Sequence, residues 1–127
     1  MELGELTVAA NTVLQTLGGG LPESLYKQAL AYELRSTHGK IVDLEAHIPV
    51  RYRGAHIGCI HADMLVGGEV LVEVKAVTKL SERDTAQLGA YLSAFTAQNG
   101  GEPTVGYLVN VGLYGKLPAV IETVTGV

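Results

Sequence analysis

The sequence predicts an α/β fold in which helices cover a mixed β-sheet. Two segments with helical spacing of apolar residues open the chain, and a glycine-punctuated set of strand-like runs follows. A third helical segment then separates a central hairpin from the last strands. The resulting order is helix, helix, four strands, helix, strand and a final strand, which is typical of a sheet with helices on its faces. At 127 residues the chain has the length of one domain, to which we assign residues 1–127.

Composition and charge narrow the class of protein. The chain is 47% hydrophobic and 17% charged, as expected of a folded domain. No run reaches the ~18 apolar residues of a membrane helix, and no secretory signal is visible at the N-terminus. Cys59 is the single cysteine, so we expect a reducing, cytoplasmic setting. The formal net charge of -4 provides no basic surface for tight non-specific binding of nucleic acid.

The first two helices are predicted from apolar spacing. Apolar side chains three and four apart predict a helix over residues 3–17, which glycines 18–20 end, so residues 1–19 are assigned as the N-terminal packing helix with its flanking residues. A second helix is predicted over residues 21–37. Its inward stripe is expected to be Leu25, Ala29, Tyr32 and Leu34. Glu23 lies in its first turn, where the helix dipole favours a carboxylate.

Residues 41–53 alternate apolar and polar side chains, which predicts strand structure. Pro49 requires a bend or an edge position there. Arg51 and Arg53 share a face at period two and either contact phosphates or form a solvated face. Three histidines show no metal-ligand spacing and are interpreted as surface residues: His38, His47 and His56.

A hairpin over residues 58–76 is the central feature of the chain. Two apolar runs flank a glycine pair, and each run has one fully apolar row. Pairing Val66 with Val70 places both rows on one core face, with Gly67–Glu69 as a three-residue loop. The two rows are Ile60, Ala62, Met64 and Val66, and Val70, Val72, Val74 and Ala76.

The other face of this hairpin carries charged residues. In the predicted register Asp63 lies opposite Glu73, and His61 lies opposite Lys75. Two carboxylates ~5 Å apart on a half-buried sheet repel each other. A divalent cation with oxygen ligands would remove this repulsion. The alternative is that these are solvent-facing residues of an edge strand, but the flanking apolar density favours a central hairpin and hence a site.

The last predicted elements are a helix and two strands. Residues 81–97 form the helix, and Ser81 with Asp84 matches a capping-box pattern. Its expected apolar positions are Ala86, Ala90, Leu92, Ala94 and Phe95. Residues 104–111 predict a strand inside the sheet, and residues 120–124 predict a final edge strand.

The charged hairpin resembles a known nuclease core. Asp63, followed by Glu73-Val74-Lys75, is similar to the D…(D/E)-x-K core of the PD-(D/E)XK nuclease superfamily, with Ala62 where the superfamily name has proline. Residues 20–26, Gly-Leu-Pro-Glu-Ser-Leu-Tyr, resemble the signature of a small prokaryotic family within it, the GxxExxY family. The similarity covers residues 20–112 and implies a restriction-endonuclease-like sandwich, a mixed β-sheet flanked by helices.

The resemblance also implies a metal-dependent phosphodiester hydrolase acting on nucleic acid, DNA more than RNA. Its catalytic residues would be Glu23, Asp63, Glu73, Lys75 and Gln87. The ligands of Mg²⁺ or Mn²⁺ would be Glu23, Asp63, Glu73 and the backbone carbonyl of Val74. Gln87 and Tyr91 match the family's Q-x-x-x-Y on the helix after the E-x-K strand, where the glutamine orients lysine, substrate or water. Residues expected near the substrate are Tyr26, Tyr91, His61, Arg51 and Arg53, although for Tyr26 packing above the site is an open alternative.

Other functions stay open from the sequence. A catalytically silent or partner-dependent nucleic-acid-binding module of the same fold is consistent with the acidic charge. A phosphodiesterase for a small substrate is also consistent with it. By analogy at the level of the fold, a homodimer is possible, and no membrane partner is expected.

Overall fold

The computed structural model describes residues 1–101 and 104–126, which form three helices and a five-stranded sheet. The elements are α1 (Leu3–Leu17), α2 (Glu23–Ser36), β1 (Val42–Tyr52), β2 (Ala55–Val66), β3 (Val70–Lys75), α3 (Glu82–Gln98), β4 (Val105–Asn110) and β5 (Val120–Thr125). The spatial order of the strands follows the sequence, and β3 and β4 form a parallel pair connected through α3. The other neighbours are antiparallel. The predicted mixed α/β sheet with flanking helices is therefore confirmed.

Two hydrophobic cores lie on opposite faces of the sheet. Helices α1 and α2 cover one face, where Leu6 and Leu30 pack with Val72. Helix α3 covers the other face, where Leu88 packs with Leu71. Successive residues of β3 thus point alternately to the two helical layers, as strand geometry requires. Among the described residues, no helix is long and apolar enough to span a membrane.

Helix α1 has the predicted bounds, but the buried faces of the other two helices differ from the prediction. In α2 the buried residues are Tyr26, Leu30, Ala31 and Leu34. Leu25 and Tyr32, predicted to point inward, are 48% and 72% exposed. In α3 the buried residues are Leu88, Gly89, Leu92 and Phe95. Ala86 and Ala90 are exposed, because small alanines fit either face and leave the choice to their larger neighbours.

Residues 41–53, which are expected to supply two of the four strands before the third helix, instead contain one continuous strand, β1, at an edge of the sheet. Pro49 is accommodated there because a strand at the edge can lack a donor on its free side. The pairing of β1 with β2 shifts register between Val50 and Arg51. Strand β5 forms the opposite edge and β4 lies inside the sheet, both as predicted.

The hairpin between β2 and β3 has the predicted register at its turn. Val66 pairs with Val70, leaving a loop of three residues. The described β2–β3 ladder then ends at the pair of Met64 and Val72, so β2 diverges from β3 at Asp63. The predicted pairing of His61 with Lys75 is wrong for this reason.

The divergence coincides with an irregularity in β1. Glu45 has a φ of 53°, an uncommon conformation for a residue with a side chain. It lies between the regular pairs Leu44–Met64 and Ala46–Ala62. The apolar row of β2 packs into different cores on the two sides of this irregularity. Met64 belongs to the core under α1 and α2, and Ala62 belongs to the core under α3. The expectation that this row shares one core face is therefore wrong.

Candidate active site

Three carboxylates converge at the C-terminal end of β3. An Asp63 carboxylate oxygen (Oδ2) accepts a hydrogen bond of 2.8 Å from the backbone N–H of Val74. A Glu73 oxygen (Oε1) accepts one of 3.1 Å from the backbone N–H of Asp63. A Glu23 oxygen (Oε2) accepts one of 2.9 Å from the backbone N–H of Ala76. The structure therefore brings together the three acids that the sequence predicted to share a site.

Each acid is held by a feature of the local backbone. Because β2 leaves β3 at Asp63, the side chain of Asp63 supplies the acceptor for a β3 amide that the ladder no longer pairs. Glu23 begins α2, whose first turn lies beside the end of β3. Glu73 follows Leu71 on the α3-facing row of β3, so its side chain enters an apolar layer. The three acids thus reach the site from α2, β2 and β3.

The electrostatics of the site centre on Glu73, which is 6% exposed. Burial first, and then the negative charge and hydrogen bonding of Asp63, raise the pKa of Glu73 from 4.5 to about 8. The hydrogen bond from the backbone N–H of Asp63, and then the Lys75 ammonium, oppose this increase without cancelling it. The raised pKa means that the ionised form of Glu73 is disfavoured beside Asp63 when no cation is bound. A group of oxygen donors with unrelieved repulsion is suited to a hard divalent cation.

Lys75 lies between the acids and α3. Its Nζ is 4.0 Å from Oδ1 of Asp84, in the first turn of α3. Gln87 and Tyr91 lie three and seven residues after Asp84, so they are on the same face of α3 as Asp84. Partial burial, and then the charge of Glu73, raise the pKa of Tyr91. Gln87 is exposed between these two positions.

Lys27 is a site residue that the sequence reading missed. Its ammonium forms an ion pair with Glu45 and lies 3.9 Å from Oδ1 of Asp63. The hydrogen bond to Glu45 is the main reason that the pKa of Lys27 is raised. A cavity of about 130 Å³ is lined by Glu23, Ser24, Lys27 and Asp63. The available signal was the spacing of four residues between Glu23 and Lys27, which puts both on one face of α2.

Tyr26 has the contacts of a packing residue. Its side chain is buried, with the residue 1% exposed. The hydroxyl donates a hydrogen bond of 2.7 Å to the carbonyl of Gly18 and accepts one of 3.2 Å from the N–H of Leu21. These bonds connect α2 to the loop before it and support the packing alternative.

Three other residues predicted to contact substrate lie along the β1–β2 hairpin. His61 stacks on His47 of β1. Arg51 is at the register shift, and Arg53 is in the turn with a φ of 50°, so strand alternation does not place them on one face. Arg51 is six residues beyond Glu45, or about 20 Å along an extended strand. It lines a different cavity, of about 720 Å³, between β1 and α3. The structure therefore does not bring the two arginines to the carboxylates.

Comparison with known proteins gives one family match and matches to solved structures. A family model described as the PD-(D/E)XK nuclease superfamily matches residues 2–120. The crystal structure of SSO0001 has a TM-score of 0.57 and 15% identity, covering 81% of this chain and 49% of that one. The crystal structure of an alkaline exonuclease (LHK-Exo) from Laribacter hongkongensis has a TM-score of 0.47 and 18% identity, covering 99% and 71%.

These similarities differ in what they establish. No curated protein matches the chain. The chain spans about half the length of SSO0001, and the likeness to that structure supports the fold alone. The family match extends over most of the chain, from residue 2 to residue 120.

Proposed function

Since the chain belongs to the PD-(D/E)XK nuclease superfamily, we propose that it hydrolyses phosphodiester bonds of nucleic acid, DNA in preference to RNA, in a metal-dependent reaction. The observation that carries this proposal is the convergence of Asp63, Glu73 and Glu23 at the end of β3, beside Lys75. We assign the chain to the GxxExxY branch, because the glutamate of residues 20–26 is the one that reaches β3. A cytoplasmic location and a homodimer are further parts of the proposal.

The proposed ligands of Mg²⁺ or Mn²⁺ are Glu23, Asp63, Glu73 and the backbone carbonyl of Val74. All four supply oxygen, the donor atom that these ions prefer. The raised pKa of Glu73 supports the assignment, since a bound cation would favour its ionised form. When bound, such an ion polarises a phosphoryl oxygen and makes a coordinated water more acidic.

Lys75 is proposed to stabilise the negative charge that develops on the phosphoryl oxygens and to position the attacking water. It lies two residues after Glu73 on the same row of β3, so its ammonium is directed to the same side of the sheet. Asp84 holds this ammonium from the α3 side. Gln87 and Tyr91, on the same face of α3, are proposed to orient the lysine or the substrate.

The proposal is tested by cleavage of single- and double-stranded DNA and RNA with Mn²⁺ or Mg²⁺. Glu73→Gln and Lys75→Ala should each reduce the cleavage rate at least about 100-fold, because each removes a group that acts in the transition state. Lys79→Ala, which removes an exposed lysine after β3, is the matched control and should cleave at the wild-type rate. Wild-type cleavage by both site variants would end the proposal.

A second candidate is a nucleic-acid-binding module that needs a partner for activity. The formal net charge of -4 favours it, because phosphate binding by this chain alone would lack a basic surface. A salt-sensitive gel shift without cleavage would support the module. Cleavage of model phosphodiesters but not of DNA or RNA would instead indicate a small-substrate phosphodiesterase.

A further inference from the structure

The β1–β2 hairpin brings together three side chains that bind transition metals: His47, Cys59 and His61. Their ligand atoms all lie within 4.8 Å of one another, and all three residues are exposed. The rings of the two histidines are stacked, with centroids 4.3 Å apart and an angle of 27° between their planes. In the sequence His47 shows no metal-ligand spacing and is interpreted as a surface residue; only the strand register makes it a neighbour of His61.

A regular stretch of the β1–β2 ladder places the three residues. His47 pairs directly with His61, and Cys59 pairs with Pro49 two positions along. Cys59 and His61 are two residues apart on β2 and therefore point to the same face of the sheet. The ladder is regular from the pair of Ala46 and Ala62 to that of Val50 and Gly58, so the backbone supporting the cluster is well defined.

We propose that His47, Cys59 and His61 form a binding site for a transition-metal ion of the Zn²⁺ class. Two imidazole nitrogens and one thiolate are preferred ligands of Zn²⁺, and three protein ligands leave a fourth tetrahedral position for water or an added ligand. The donors also distinguish this site from the cluster around Asp63. Mg²⁺ and Mn²⁺ prefer oxygen donors, whereas imidazole and thiolate select Zn²⁺ and its softer neighbours.

The distances in the cluster are compatible with such an ion. Bonds of about 2.0–2.3 Å to a tetrahedral zinc put its ligands roughly 3.5 Å apart. The ligand atoms lie within 4.8 Å, so the side chains need to close by about 1 Å. Exposed side chains make such a movement by rotation about χ1 and χ2, without a change in the backbone.

The site would connect the two strands where their ladder extends past β3. The described β2–β3 pairs end at Met64. The cluster lies beyond that point, where the described residues of β2 pair with β1 and no longer with β3. His61 is two residues before Asp63, which is about 7 Å along a strand. A bound ion would therefore stabilise the hairpin next to the carboxylate cluster.

The experiment is a titration of reduced, metal-free protein with Co²⁺, followed by displacement with Zn²⁺. Co²⁺ bound at this cluster should produce a thiolate-to-metal charge-transfer band, which Zn²⁺ then removes. Cys59→Ser should abolish this band. His47→Ala should weaken Zn²⁺ binding at least about 100-fold. Loss of a residue that only hydrogen-bonds a metal ligand typically weakens binding about 10–100-fold. Circular dichroism of the metal-free variants checks that they fold.

Two controls separate this site from other metal binding. His56→Ala removes an exposed histidine of the same strand outside the cluster and should bind Zn²⁺ as the wild type does. Asp63→Asn changes the carboxylate cluster and should also leave the charge-transfer band intact. The proposal is overturned if the wild type gives no such band, or if binding is lost in Asp63→Asn but kept in Cys59→Ser. Because the readout is metal binding, the result does not depend on nuclease activity.

Discussion

Replacing Glu73 with glutamine is expected to stabilise the metal-free protein at alkaline pH. Burial and the neighbouring Asp63 carboxylate raise the pKa of Glu73 from 4.5 to about 8. Between these two values the folded protein binds more protons than the unfolded chain, so stability falls as pH rises. The contribution of Glu73 to stability is complete below 4.5 and is lost as pH rises through about 8.

The size of the effect follows from these two values. Each pKa unit corresponds to about 1.4 kcal/mol, so the difference between 4.5 and about 8 limits the destabilisation by ionised Glu73 to about 5 kcal/mol. Glutamine keeps the size of the side chain and an oxygen that can accept from the N–H of Asp63, but it carries no charge. At about pH 9 we expect Glu73→Gln to exceed the wild type by about 2–4 kcal/mol in unfolding free energy, or roughly 6–15 °C in Tm.

Urea unfolding with a chelator present, at about pH 5, 7 and 9, measures this difference. The gap between Glu73→Gln and wild type should widen as pH rises. Glu122→Gln, which changes an exposed acid of β5, should follow the wild-type pH profile. Mg²⁺ or Mn²⁺ should stabilise the wild type more than Glu73→Gln, because an ion that binds only the folded state shifts the unfolding equilibrium. A gap that does not change with pH, or a variant less stable than wild type at about pH 9, would refute the reasoning.

Three further substitutions test the framework around the site. Tyr26→Phe removes two hydrogen bonds and should lower the unfolding free energy, measured by urea unfolding, by about 1–2 kcal/mol. The KM for nucleic acid should stay unchanged, and a raised KM would support substrate contact instead. Ser81→Ala removes the N-cap of α3 and should cost about 1 kcal/mol in the same assay, and an unchanged midpoint would argue against that cap. Gly19→Ala would make a Cβ collide with the carbonyl oxygen of Tyr114, so its Tm should fall more than that of either other variant, and a wild-type Tm would contradict this contact.

The sequence predicted the turn of the central hairpin correctly because two constraints agreed there. A glycine pair limits the loop, and the alternation on both strands requires Val66 to face Val70. The contact of Asp63 with Glu73 followed from that register, although it is made through a backbone N–H beyond the end of the ladder. Both strands are close in sequence, so local patterns were sufficient for the carboxylate pair.

Features that depend on distant parts of the chain were not predictable in this way. Lys27 becomes a site residue only because α2 packs beside the irregular stretch at Glu45. His47 meets His61 only through the register of β1 with β2. The prediction of the inward face of α2 was wrong because two rows of apolar residues have helical spacing, one that begins at Leu25 and one that begins at Tyr26. The stripe that begins at Tyr26 is the one that packs, with its hydroxyl paired to the preceding loop.

The departures from regular structure meet at one place, and this supports the assignment of the site. Glu45 adopts a positive φ, β2 leaves β3 at Asp63, and Glu73 buries an acid whose pKa is raised. Each departure has a cost in stability, since positive φ is strained and a buried carboxylate is poorly solvated. Costs of this kind are expected where function requires them, because selection would otherwise favour the regular ladder and an apolar residue at position 73. These costs support the proposal that the carboxylate cluster binds a cation, and the stability of Glu73→Gln measures one of them directly.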